Sequence, residues 1–106
     1  MPIRYFKCHT LPYPSYNLAA TKGGTDELNL TWSNGPNGQA EPTATEVCVA
    51  YVSNTAAETC VTIPVNLTTY LLTLVGSSGQ DVQIKIRRQN SAGFGEYTSP
   101  LVATMG

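Results

Sequence analysis

The chain has 106 residues, a length that suits one domain with its own core. Charged residues make up only 12% and the net charge is −1, so the chain has no basic field to hold a nucleic acid or an anionic membrane surface. No apolar run approaches the roughly 20 residues that cross a bilayer, which excludes direct membrane insertion by a helix.

Residues 1–13 hold Pro2 and Pro12 and show no apolar alternation, so they read as a linker or N-terminal extension. They also lack the apolar stretch of a signal peptide, and the chain is expected to be part of a larger protein. Cys8 and His9 stand together here. Structural zinc needs four closely spaced ligands, so no metal site is expected.

From residue 14 onward the period is two, the mark of strands with one buried face. The first strand is expected at 16–20, with Leu18 inward. The second is expected at 27–33, where Leu28, Leu30 and Trp32 alternate with Asn29 and Thr31. A long loop follows, carrying Gly35, Pro36, Gly38 and Pro42. The third strand, 45–52, alternates Val47, Val49 and Tyr51 with Cys48 and Ala50. A helix over 51–58 is rejected, because the stretch is short and lies among β-formers.

The fourth strand is expected at 57–63. If it pairs with the third around Ser53, Asn54 and Thr55, Cys48 and Cys60 fall opposite each other on the outward face. They then form a cross-strand disulfide, given an oxidising compartment, or remain two free thiols. The count of three cysteines leaves at least one thiol over, and Cys8 is the expected one. Strand five is expected at 68–75, from Tyr70, Leu72 and Leu74; strand six at 81–90, from Val82, Ile84 and Ile86; strand seven at 96–103. Two sequons, Asn29-Leu-Thr and Asn66-Leu-Thr, make Asn29 and Asn66 candidate glycosylation sites. The expected core is Leu18, Leu30, Trp32, Val49, Tyr51, Tyr70, Leu72, Ile84 and Ile86.

Seven short strands without crossover helices argue for two antiparallel sheets packed face to face. At this point the residues resemble a family. Trp32 on the second strand, the start Pro14-Ser-Tyr-Asn-Leu18 and the third strand Val47-Cys-Val-Ala-Tyr51 are similar to fibronectin type III domains. So is the run from Val82 to Asn90, followed by Gly93-Phe-Gly95 and Pro100. The resemblance covers residues 14–104 and implies an all-β fold, a seven-stranded antiparallel immunoglobulin-like β-sandwich. Two positions depart from the pattern. Val82 stands where most members place a corner tyrosine, so packing or the 76–80 turn must hold that corner. Arg88 stands where a small inward residue is usual, so its head is expected at the sandwich edge.

Chemistry is scarce along the chain. The one histidine is His9, in the extension, and the acids Asp26, Glu27, Glu41 and Glu46 flank turns. Neither a nucleophile–histidine arrangement nor a paired-carboxylate site emerges, and no cofactor and no enzymatic activity are expected. Lys85 and Arg87 share one face of strand six and read as a solvated outer face. Phe94 sits between two glycines at the expected tip of the last turn. There it either meets a partner or folds back on the core rim. Together with Asn37, Gln39 and Val65 it forms the candidate partner-binding loops.

The resulting expectation is a non-catalytic interaction and spacer module of a cell-adhesion protein or receptor ectodomain. It would be extracellular, monomeric in isolation, and partnered by another protein or by neighbouring domains of its own chain. The alternative is an accessory domain of a secreted bacterial enzyme or a phage surface protein.

Overall fold

The computed structural model describes residues 11–37 and 40–106. Two antiparallel sheets face each other. Strands β1 (Tyr16–Lys22), β2 (Glu27–Ser33) and β5 (Thr69–Thr73) form the smaller, in the order β1-β2-β5. The larger contains β3 (Ala44–Tyr51), β4 (Thr59–Ile63), β6 (Asp81–Asn90), β7 (Gly93–Phe94) and β8 (Leu101–Thr104). Its order is β4-β3-β6, with β7 and β8 both paired to the far side of β6.

The alternation explains the packing. Leu28, Leu30 and Trp32 of β2 meet Val47 and Val49 of β3 and Val82, Ile84 and Ile86 of β6 in one buried cluster. Of the expected core, Leu30, Trp32, Val49, Leu72, Ile84 and Ile86 are buried, whereas Leu18, Tyr51 and Tyr70 pack against the cluster half-buried. The polar hydroxyl ends of the two tyrosines suit that rim position. Met105, 1% exposed, joins the core, so the packed unit runs past residue 104.

Three expected elements differ in detail. The fourth strand begins at Thr59, because a single 3-10 turn, Val52–Asn54, carries the chain out of β3. The last strand is split. Pro100 has no N–H to give the ladder, and the chain bulges between Phe94 and Leu101. Thr98 bridges the gap. Its N–H donates to Ile86 O (2.7 Å) and its Oγ1 accepts from Ile86 N (3.1 Å), replacing a strand carbonyl. The result is eight strand segments among the described residues rather than seven. In β1 the register with β2 shifts between Tyr16 and Ala19, and Asn17 there adopts φ 57°. Asparagine tolerates that left-handed conformation better than most side chains.

The corner without its tyrosine is tied by the β1–β2 turn. The carboxylate of Asp26 accepts from Gly76 N (2.9 Å) and Ser78 N (2.8 Å). Leu74 N donates to Asp26 O (3.0 Å), and the Ser77 hydroxyl, fully buried, donates to Leu74 O. One acid in the β1–β2 turn thus satisfies the backbone that a phenol would otherwise brace. The C-terminal residues add to this. Gly79 N donates to Met105 O (3.1 Å), Asp26 N to Gly106 O (2.8 Å), and Gly106 N to Glu27 O (3.1 Å).

Candidate functional site: a loop-end cleft and a braced outer face

Arg88 organises the end of the sandwich opposite that corner. Its place on β6 aims it inward, and its head reaches the loop end of the sandwich, where the residue is only 4% exposed. It is held by oxygen acceptors from two other segments. Nη1 donates to Asn37 Oδ1 (3.0 Å), and Nη2 lies within bonding distance of Gly35 O (2.6 Å), Pro36 O (3.0 Å) and Tyr13 O (3.3 Å). Burial lowers its pKa, but a guanidinium so placed stays charged.

The part of the N-terminal extension that is described is therefore packed on the domain. Tyr13 N donates to Pro36 O (3.0 Å), and Pro12 is buried. The approach is close enough to require glycine at two points. A Cβ on Gly35 would collide with the Pro14 carbonyl oxygen, and one on Gly95 with that of Pro12. Nearby, Trp32 Nε1 donates to Asn34 Oδ1 (3.2 Å), as does Ser15 Oγ (3.4 Å). Asn90, 3% exposed, accepts from Ala92 N (2.8 Å) and so shapes the β6–β7 turn.

Above Arg88 lies an open cleft of about 240 Å3. Asn34, Asn37, Glu41, Pro42, Val65 and Asn66 line it with Gly35 and Arg88. The structure thus brings together two of the candidate loop residues, Asn37 and Val65, and sets the Asn66 sequon beside them. Gln39 lies outside the described residues, as do Cys8 and His9. Asn29 is exposed on β2 and does not line the cleft.

Phe94 is not at a free tip and does not fold onto the core rim. It pairs with Gln89 in β7, and its ring lies on the outer face of the larger sheet, 40% exposed. The Arg87 guanidinium carbon stacks 3.7 Å from its centroid and 4.5 Å from that of Tyr97. Lys85 Nζ sits 4.0 Å from the Tyr97 centroid on the same face. Both cations also meet acids, Arg87 Nε with Glu46 Oε1 (2.7 Å) and Lys85 Nζ with Glu58 Oε2 (3.3 Å). The basic stripe expected to be merely solvated is instead neutralised and stacked. Each such partly exposed pair contributes about 1 kcal/mol or less.

Beneath this layer Cys48 and Cys60 are joined by a disulfide, at directly opposed positions of β3 and β4 with Cα atoms 4.1 Å apart. Their opposed register puts both on the outward face of the larger sheet, where Cys60 is exposed. Cys48 is fully buried, because Tyr97 from the irregular last strand lies over it, with its hydroxyl 3.7 Å from Sγ. The Tyr97 hydroxyl donates to Glu46 Oε1 (3.1 Å). Burial and then that hydrogen bond raise its pKa above the usual phenol value. Glu46, Cys48 and Cys60 have the donor atoms of a small metal site, but two of the three are consumed by the disulfide. Replacing both cysteines with alanine is expected to cost about 2–3 kcal/mol, the value for closing a short loop. Urea midpoints of wild type and double variant, each with and without a phosphine reductant, check this. Reductant should shift only the wild type, and identical midpoints throughout would reject the bond.

No protein-family model and no curated protein matches the chain. Solved structures do. The FN1-FN3 domains of chicken CNTN1 superpose with a TM-score of 0.78 at 13% identity, over 89% of this chain and 32% of that one. Titin kinase with its flanking domains gives 0.70 at 19% identity, over 90% and 17%. A further stretch of titin domains gives 0.69 at 22% identity, over 91% and 33%. This chain spans a third or less of each of those chains. At such identities the likeness is one of fold, and the fold is a fibronectin type III-like, immunoglobulin-like sandwich.

Proposed function

We propose that this domain is a non-catalytic interaction and spacing module of a cell-adhesion protein or receptor ectodomain. It presents its loop end to another protein or to a neighbouring domain of its own chain. The observation that carries this reading is the gathering of Tyr13, Gly35, Asn37, Glu41 and Val65, from separate stretches of the chain, at one end around Arg88. Loops fixed on a scaffold are where such folds place recognition. The disulfide favours an oxidising compartment, and both sequon asparagines are exposed, which favours a glycosylated extracellular surface. The carboxylate nearest other polar chemistry, Glu46, is already committed to Arg87 and Tyr97, which favours a structural over a catalytic role.

Expression through a eukaryotic secretory route, followed by peptide mapping, tests the location. The expected product is monomeric, bonded between Cys48 and Cys60, and glycosylated at Asn66, Asn29 or both. Secreted protein with bare asparagines and free thiols would overturn it. The loop-end assignment is tested by cell-surface binding of the tagged domain. Val65→Asp and Asn37→Ala should reduce binding, and Val102→Asp on β8 should not. The reverse pattern would move the partner surface away from the loops.

A further inference from the structure

We infer that the loop-end cleft is a carboxylate-binding subsite, built to take an acidic side chain of the partner protein. The inference deepens the loop-end reading by naming the chemical group that reading leaves open. Arg88 carries a full charge at 4% exposure and meets no carboxylate among the described residues. Its compensation comes only from neutral oxygens. Its Nε–H is buried and has no hydrogen-bond partner there. A buried charge held by dipoles alone is incompletely compensated, and an anion nearby would complete it.

The lining is also biased toward donors. An amide side chain has one oxygen and one NH2 group. Asn34 turns its oxygen to Trp32 and Ser15, and Asn37 turns its oxygen to Arg88. Each amide therefore keeps its NH2 group for another acceptor. Asn66 adds a third amide at the rim. The cleft's volume of about 240 Å3 equals that of roughly eight waters, ample for a carboxylate and the methylenes behind it. Glu41 at the rim opposes a second negative charge and sets a ceiling on affinity.

The test is a titration of the folded domain with sodium acetate and with N-acetyl-aspartate amide, at constant ionic strength against chloride, followed by 1H–15N NMR. Arg88 Nε–H and the side-chain NH2 signals of Asn34 and Asn37 should shift saturably, while Arg87 Nε–H, paired with Glu46, should not. Glu41→Gln should tighten binding by up to about fivefold, the effect of removing one solvated like charge. Arg88→Met should abolish saturation; if that variant does not fold, the wild-type titration still decides. Shifts that are linear, or matched by chloride, would overturn the inference. If the titration fails while Asn37→Ala still weakens partner binding, this inference alone falls. If acetate saturates Arg88 while loop-end variants bind the partner normally, the loop-end reading alone falls.

Discussion

Arg88→Ala is expected to destabilise the domain by about 3–5 kcal/mol, the range for removing one member of a buried, hydrogen-bonded charged cluster. The loss has two parts. The apolar stem leaves the core edge, and the carbonyls of Tyr13, Gly35 and Pro36 lose the guanidinium N–H groups. Arg88→Met separates them, because it keeps the stem and removes only the donors. That variant should lose about 1–3 kcal/mol. Denaturant titration measures both. Amide exchange shows where the damage falls, since Tyr13 N, bonded to Pro36 O, should lose protection before the β3 and β6 amides do. Two variants within 1 kcal/mol of wild type would mean that the clamp is ornamental.

Trp32→Ala should cost a comparable 3–5 kcal/mol, which is a large part of the total stability of such a domain. The indole is 5% exposed and belongs to the buried cluster between the two sheets. Trp32→Phe should cost less, because the ring remains and only the Nε1 bond to Asn34 is lost. Since Trp32 is the sole tryptophan, its fluorescence reports directly on the core. Emission should be blue-shifted in the folded state and move red on unfolding. Emission of a solvated indole from folded protein would reject the arrangement.

The sheets were legible because their signal is local. Val82, Ile84 and Ile86 recur at every second position, and all three are fully buried on β6. The opposition of Cys48 and Cys60 was equally accessible, since a hairpin register follows from the length of its turn. The burial of Cys48 was not. Its cover is Tyr97, 49 residues away, on a stretch that Pro100 forces out of regular pairing. The alternation rule assigns such a residue to the solvent face and carries no information about what lies over it.

Arg88 shows the same limit from the other direction. Its misfit with an inward position was visible in the sequence, but three of its partners are backbone carbonyls 52 to 75 residues away. Every residue has a carbonyl, so no residue type marks one as a charge partner. Asp26 is similar. Its carboxylate serves the 76–78 backbone from 50 residues upstream and takes over the bracing role of the missing tyrosine. The cleft inherits this opacity, because Asn34, Glu41 and Val65, well separated in the sequence, line it together with Arg88.

The last two residues have a mechanical consequence. Met105 and Gly106 follow a strand of the larger sheet, yet Gly106 exchanges hydrogen bonds with Asp26 and Glu27 of the smaller one. The end of this segment is therefore bonded to both layers, through β8 to β6 and through Gly106 to the smaller sheet. Pulling the segment free must break these Gly106 bonds, and the side chain of Met105 must leave the interior as well.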